Sequence, residues 1–350
     1  MNKILVVFGT RPEAIKLIPV IRELRTQGVQ YEVLNTNQHA EILDNLLSAE
    51  GIAPNYKLCI CGQYDNLIET KSAMLEQLSI ALGKNTYTSI VVQGDTLSAL
   101  VGAEYGFLRQ IPVYHVEAGM RTYNPSNPYP EECFRRMISV MATLHFCPSN
   151  DEKDNLISEG VSSNNIYVVG NTFVDYRKRS NKRVVENKKQ ILITLHRREN
   201  IPYLDTLFMQ IAEIAKATTD YKWLFPVHPN PIIEELAKKH LEGISNIELS
   251  SPLSSDAFYQ ELLASELIVS DSGGVQEECI LNAKKMLVVR EVSERKTDFD
   301  FMELVSPTEK PKEHFYSLLN KKSTTQGADY YGTGNAAEQI VQIIMREGVK

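Results

Sequence analysis

Short apolar runs alternating with stretches of helical period fill the first half of the chain. The runs at 4–8, 33–34, 90–92, 113–116, 145–147 and 166–169 are each brief and rich in β-branched or aromatic residues. Between the first two, Ala14, Leu17, Ile18, Ile21 and Leu24 recur at the three- and four-residue spacing of one helix face. A strand that is apolar throughout buries both faces, so this alternation predicts a parallel sheet covered by helices on both sides. A second set follows at 191–194, 223–227, 247–249, 267–270 and 286–289. Between the sets, residues 177–190 are polar and basic, with Arg177, Lys178, Arg179, Lys182, Arg183, Lys188 and Lys189. Such a run could bind nucleic acid. Without interleaved aromatics, in an acidic chain, it reads as a solvated linker. The expected fold class is α/β: two doubly wound parallel-sheet (Rossmann-like) domains facing each other across a cleft. Residues 1–170 form the first domain, 171–190 the linker and 191–335 the second domain. The last helical stretch, within 336–350, is expected to cross back to the first.

Composition narrows the function classes. A chain of 350 residues exceeds the size at which one core keeps growing, which supports two domains. The net charge of −7 gives no whole-molecule attraction for nucleic acid, so an anionic ligand must be drawn by local groups. Five cysteines (Cys59, Cys61, Cys133, Cys147, Cys279) show neither disulfide-framework spacing nor a Cys-x-x-Cys metal pair. Cys59 and Cys61 would share one side of a strand and read as buried free thiols. The first residues run straight into a strand without a signal-peptide pattern. No apolar run approaches the roughly 20 residues needed to span a bilayer. The expectation is a soluble, cytoplasmic protein that binds neither membrane nor nucleic acid.

Candidate chemistry gathers where strands end. Gln93-Gly94-Asp95-Thr96 and His115-Val116-Glu117-Ala118-Gly119-Met120-Arg121 follow consecutive strand runs, and Pro130-Glu131-Glu132 opens a helix soon after. An open parallel sheet places its ligand crevice at such ends. Carboxylates cost free energy to gather there unless chemistry needs them. Each acid has a plainer duty: Asp95 as an N-cap, Glu131 and Glu132 in helix ion pairs with Arg135 and Arg136 four residues on. Convergence of Asp95, Glu117 and Glu131 favours catalysis. In Phe8-Gly9-Thr10-Arg11-Pro12-Glu13, Thr10 and Glu13 have capping-box spacing and Pro12 fits a first helical turn. Arg11 and Lys16 are then placed to meet an anion. At 267–278, a buried strand ends in Asp271-Ser272-Gly273-Gly274 and opens a helix, a geometry that offers free N–H groups and a positive dipole end to a diphosphate. Ser272 adds a hydroxyl, and Glu278 could accept from ribose. His196-Arg197-Arg198 after another strand can neutralise a leaving diphosphate and protonate it. His228, held between prolines in Val227-His228-Pro229-Asn230-Pro231, reads as architectural or peripheral.

These motifs, in order along nearly the whole chain, resemble the non-hydrolysing UDP-N-acetylglucosamine 2-epimerases, which have a glycosyltransferase-B-like fold. Further matching segments are Gln38-His39, Val169-Gly170-Asn171-Thr172, Glu294-Arg295 and Gly334-Asn335-Ala336. The resemblance implies inversion at carbon 2 of UDP-GlcNAc to give UDP-ManNAc, for bacterial surface polysaccharide precursors. UDP is eliminated to leave a 2-acetamidoglucal, then added back, with no cofactor and no metal. It implies that Asp95, Glu117, Glu131 and His196 are catalytic. Arg11, Lys16, Arg121, Arg135, Ser272, Gly273, Gly274, Glu278 and Arg295 would bind the UDP-sugar, and Gln38, His39 and His228 a second site. It also implies a homodimer.

The chain departs from the family pattern in places. Phe134 replaces an Asn before Arg135, and Lys296-Thr297 replaces Pro-Glu after Glu294-Arg295. Gln38-His39-Ala40-Glu41 and Gly62-Gln63 lack two arginines found in members activated by a second UDP-N-acetylglucosamine, so weak or absent activation is expected. A UDP-6-deoxy-N-acetylhexosamine epimerase, a hydrolysing epimerase releasing ManNAc, a glycosyltransferase and a silent sugar-nucleotide binder are the alternatives.

Overall fold

The computed structural model describes residues 3–37, 40–60, 62–64, 66–179, 186–322 and 327–348, with backbone only for 40–42. The chain divides into two compact units, one of Met1–Ser180 with Tyr331–Lys350 and one of Asn181–Tyr330.

The first unit alternates β1 (Lys3–Phe8), α1 (Arg11–Thr26), β2 (Gln30–Asn35), α2 (Ala40–Ala49), β3 (Tyr56–Lys57), α3 (Leu67–Leu82), β4 (Ser89–Gln93), α4 (Leu97–Leu108) and β5 (Val113–Val116). It continues through α5 (Glu131–Met141), β6 (Leu144–Cys147), α6 (Asn150–Ser158), β7 (Ile166–Val168) and α7 (Thr172–Arg179). The strands form one parallel sheet in the order β3-β2-β1-β4-β5-β6-β7. Strand β1 shows why it is apolar throughout. Ile4, Val6 and Phe8 join one core cluster with Leu17 and Ile21 of α1, while Leu5 and Val7 join a second with Leu78 of α3 and Leu100 of α4.

The second unit runs β8 (Gln190–Thr194), α8 (Leu204–Ala217), β9 (Lys222–Pro226), α9 (Pro231–Leu241), β10 (Ile247–Ser250), α10 (Ser255–Ala264) and β11 (Leu267–Ser270). It ends with α11 (Gly273–Asn282), β12 (Lys285–Val289), β13 (Met302–Val305) and α12 (Pro311–Asn320). Its parallel sheet has the order β10-β9-β8-β11-β12-β13. Both sheets reverse strand order once, between β1 and β4 and between β8 and β11. A crevice opens outside the carboxyl ends of strands at such a reversal. The two-sheet α/β class read from the sequence is the fold observed.

Helix α13 (Ala336–Glu347) belongs to the first unit. Its Ile340, Val341 and Ile344 lie in the core cluster of α1, and Asp175 of α7 accepts from the N–H groups of Ala336 and Ala337 at 3.3 and 2.9 Å.

Two readings from the sequence need correction. The segment taken as linker begins with helix α7, in which Arg177 is buried with its guanidinium 5.4 Å from the Phe173 ring. Arginine covers apolar surface with its stem, which composition alone conceals; residues 180–185, including Lys182 and Arg183, lie outside the described residues. Cys59 is exposed and outside any strand, so it is not a buried thiol, and Cys61 lies outside the described residues.

Candidate functional site

In the first unit the site builds from the turns after β1, β4 and β5. Glu13, in the first turn of α1, is 1% exposed. One of its oxygens accepts from the N–H groups of Gly9 and Thr10 at 3.1 and 2.8 Å and from the Thr10 hydroxyl at 2.8 Å. The other accepts from Thr96 Oγ1 at 2.6 Å. Burial outweighs these bonds and raises its pKa from 4.5 to about 7. Gly9 is required by close approach: a Cβ there would lie 1.9 Å from Thr36 Oγ1 and 2.2 Å from Ser98 Oγ, whose hydroxyls share a 2.7 Å hydrogen bond.

Asp95 follows β4 and is partly exposed, and Arg135 of α5 reaches its carboxylate through Nε at 3.1 Å and through Nη2. Arg135 also binds Glu132 at 2.9 Å, and Glu132 accepts from the N–H groups of Thr122 and Tyr123. The capping duty considered for Asp95 falls to Thr96, whose hydroxyl accepts from Ala99 N. Glu117 follows β5 with φ of +62°, a left-handed conformation costly for glutamate and typical of strained functional positions. It forms a buried ion pair with Lys16 of α1. Glu131 is the first residue of α5. Since Gln93 and Val116 are register partners on adjacent strands, Asp95 and Glu117 leave the same edge of the sheet.

His115, on β5, is fully buried and its Nε2 lies 2.8 Å from Gly94 O. Burial pulls its pKa from 6.5 to about 3, and that of its cross-strand partner His145 to about 4. Arg121 gives its guanidinium to both oxygens of Glu159 at 2.9 and 2.7 Å, to Met120 O and to Ser139 Oγ. Its side chain is 0% exposed, so it anchors the loop after β5. Arg11 is half-buried at the start of α1.

In the second unit, Thr194 and Ser270 are register partners, which sets His196 beside Asp271. Asp271 is 0% exposed and accepts from His196 N at 3.0 Å, Arg197 N at 2.9 Å and Asn200 Nδ2 at 3.1 Å. Its carboxylate also lies 3.6 Å from His196 Nδ1. Asp271 therefore fixes the backbone of His196 and sets a carboxylate charge beside its ring. Burial lowers the histidine's pKa, against the opposing pull of Asp271. The His196 ring stacks on His228 at 5.3 Å with planes 8° apart, which gives His228 a supporting place.

Ser272 is the N-cap of α11. The first helical turn begins with Gly273, exposed Gly274 follows, and buried Glu278 sits one turn further in. A Cβ on Gly273 would lie 2.3 Å from Arg295 Nη1, so that guanidinium packs on the bare glycine face. Arg295 is held by Glu277 at 2.8 Å and by Glu294, which also pairs with buried Arg290 at 2.9 Å. Its charge is thus matched by acids of the same unit. Gln38 and His39 lie outside the described residues, as do the side chains of Ala40 and Glu41. Among the described residues no group of three or more His, Cys, Asp or Glu is placed to hold a metal ion.

Sequence reasoning missed Glu13, Glu132, His115 and Asp271 as site residues. Asp271 had a signal in the Asp-Ser-Gly-Gly run. The reach of Glu13 to Thr96 had none.

The family described as UDP-N-acetylglucosamine 2-epimerase matches residues 22–345. The chain belongs to this family. A UDP-N-acetylglucosamine 2-epimerase of Campylobacter jejuni is 35% identical over 99% of this chain and 98% of its own. The structure of Staphylococcus aureus MnaA with UDP superposes with a TM-score of 0.91 at 33% identity, covering 100% of this chain and 98% of that one. The UDP-GlcNAc 2-epimerase of Neisseria meningitidis bound to UDP-GlcNAc gives 0.85 at 33% identity, over 98% of this chain and 100% of that one. Acinetobacter baumannii MurG, 14% identical with a TM-score of 0.63, shares the glycosyltransferase-B-like fold of this 2-epimerase family member.

Proposed function

We propose that the chain inverts carbon 2 of UDP-GlcNAc to give UDP-ManNAc by eliminating and re-adding UDP. The observation that carries this is the pair of acids Asp95 and Glu117 at the carboxyl ends of adjacent strands, with Glu131 opening the helix that follows β5, in a chain of this family. The hydrogen on carbon 2 has no adjacent carbonyl and is not acidic in the substrate. Breaking the bond from carbon 1 to the diphosphate oxygen builds positive charge at carbon 1. A carboxylate then removes the carbon 2 proton, and that electron pair forms the double bond of 2-acetamidoglucal. In the return step the diphosphate oxygen bonds carbon 1 while a proton reaches the other face of carbon 2. The second unit supplies the UDP seat: free N–H groups at the start of α11, Ser272, and Glu278 for the ribose. His196, its backbone anchored and its ring flanked by Asp271, would hydrogen-bond the departing diphosphate. The resemblance also implies a homodimer, which light scattering at twice the chain mass checks.

Incubation with UDP-GlcNAc in deuterium oxide tests the reaction. Deuterium at carbon 2 of both UDP-sugars supports epimerisation with UDP retained. Free deuterated sugar would make it a hydrolysing enzyme, and absence of exchange with UDP-GlcNAc would overturn the assignment.

A further inference from the structure

Asp95 sits in a short turn whose two flanks are both fixed from the interior. On one flank, Gly94 has φ of +71° and its carbonyl meets His115 Nε2 at 2.8 Å. A carbonyl only accepts, and buried His115 is neutral, so its single proton stands on Nε2. On the other flank, the Thr96 hydroxyl donates to Glu13 Oε1 at 2.6 Å. The second oxygen of Glu13 holds Gly9 and Thr10, the residues just before Arg11. Glu13 therefore ties the turn of Arg11 to the turn of Asp95 across 83 positions of sequence. Burying a carboxyl and an imidazole costs free energy that an ordinary strand-to-helix turn does not require.

We propose that Glu13 and His115 are positioning residues that fix the backbone of Asp95 from opposite sides. This rests on the reading of Asp95 as an acid/base group. Arg135 acts differently, on the Asp95 carboxylate itself. Without either interior bond the turn relaxes, and a displacement of about 1 Å at a reacting group costs about 10²-fold in rate. The UDP seat proposed at the start of α11 lies in the second unit, and His115 does not hold the turn of Arg11, so loosening the Asp95 turn alone spares UDP affinity.

The test compares kcat, KM and UDP affinity for Glu13→Gln, His115→Phe, Thr96→Val and Thr96→Ser, with Asp95→Asn as reference. Expected is a loss of about 10–100-fold in kcat for the first three. UDP affinity changes less than about threefold for His115→Phe and Thr96→Val, while Glu13→Gln also loosens the turn of Arg11 and loses UDP affinity with it. Thr96→Ser keeps both the donor to Glu13 and the helix cap, and recovers most of the kcat that Val loses. Thr96→Asp keeps a cap but brings a second acid to Glu13, so it stays slow. If Asp95→Asn is inactive while Thr96→Val and His115→Phe turn over normally, the positioning role is overturned. It is equally overturned if these variants lose kcat only together with UDP affinity and melting temperature, the mark of general destabilisation. Normal turnover by Asp95→Asn would instead remove the assignment of Asp95 on which the proposal stands.

Discussion

Arg135 divides its guanidinium between Asp95 and Glu132, so one side chain couples the turn after β4 to the first turn of α5. Replacing Asp95 by Asn keeps the shape but removes a proton acceptor. Turnover should fall by about 10²–10⁴-fold while UDP binding, measured by calorimetry, persists. Buried titrating groups also give opposite pH terms. Glu13, raised from 4.5 to about 7, binds a proton more tightly folded than unfolded, so its contribution to stability declines as pH rises from 4.5 to 7. His115 and His145, lowered from 6.5, bind a proton more tightly unfolded, so their contribution declines as pH falls below 6.5. In thermal melts, Glu13→Gln should therefore gain stability relative to the parent as pH rises through that window. His145→Gln should gain as pH falls from 6.5 to 4. Flat differences would show that neither group titrates as its burial requires. Arg121 and Arg295 show the limit of residue-level reading. The resemblance implied a ligand for both, and their acidic partners lie far off in sequence, Glu159 38 positions from Arg121 and Glu277 18 from Arg295. A sequence displays the cation without its partner.

Strands with apolar runs were legible because burial on both faces leaves a continuous pattern. Strands β3 and β13 were not. The first is two residues long, and the second carries half-buried Glu303 and Leu304 at a sheet edge, so neither leaves an apolar run. Helix α7 looked like linker because its polar residues outnumber Phe173 and Val174. It nevertheless packs on α1 and supplies Asp175 to the start of α13. Asp175→Ala should cost about 0.5–2 kcal/mol in chemical denaturation, the usual worth of a helix-end acceptor. Deleting residues 331–350 strips α13 from the core beside Leu17 and Ile21. That truncation should yield insoluble chain; a soluble, cooperatively melting product would show α13 to be dispensable.

At the scale of the whole molecule, the resemblance implies that Gln38-His39-Ala40-Glu41 and Gly62-Gln63 lack two arginines carried by activated family members. Loss of two cations removes partners for a second diphosphate, so initial rates should follow a hyperbola in UDP-GlcNAc. Strong sigmoidicity, or a requirement for added UDP-GlcNAc when starting from UDP-ManNAc, would contradict that reading. UDP at about a hundred times its dissociation constant should add about 2.7 kcal/mol of stability, seen as a raised melting temperature. The sequence by itself determined the α/β class, the succession of most strands, and which chemical groups stand at their carboxyl ends. It could do so because hydrophobic period and turn chemistry are local. Only the tertiary structure decided the strand orders, and with them which ends become neighbours at the reversal between β1 and β4. It alone bonded Thr96 to Glu13, Arg135 to Asp95 and Asp271 to His196. Those pairings join residues 83, 40 and 75 positions apart. They arise from packing crossover helices over a sheet, which no short window of sequence contains.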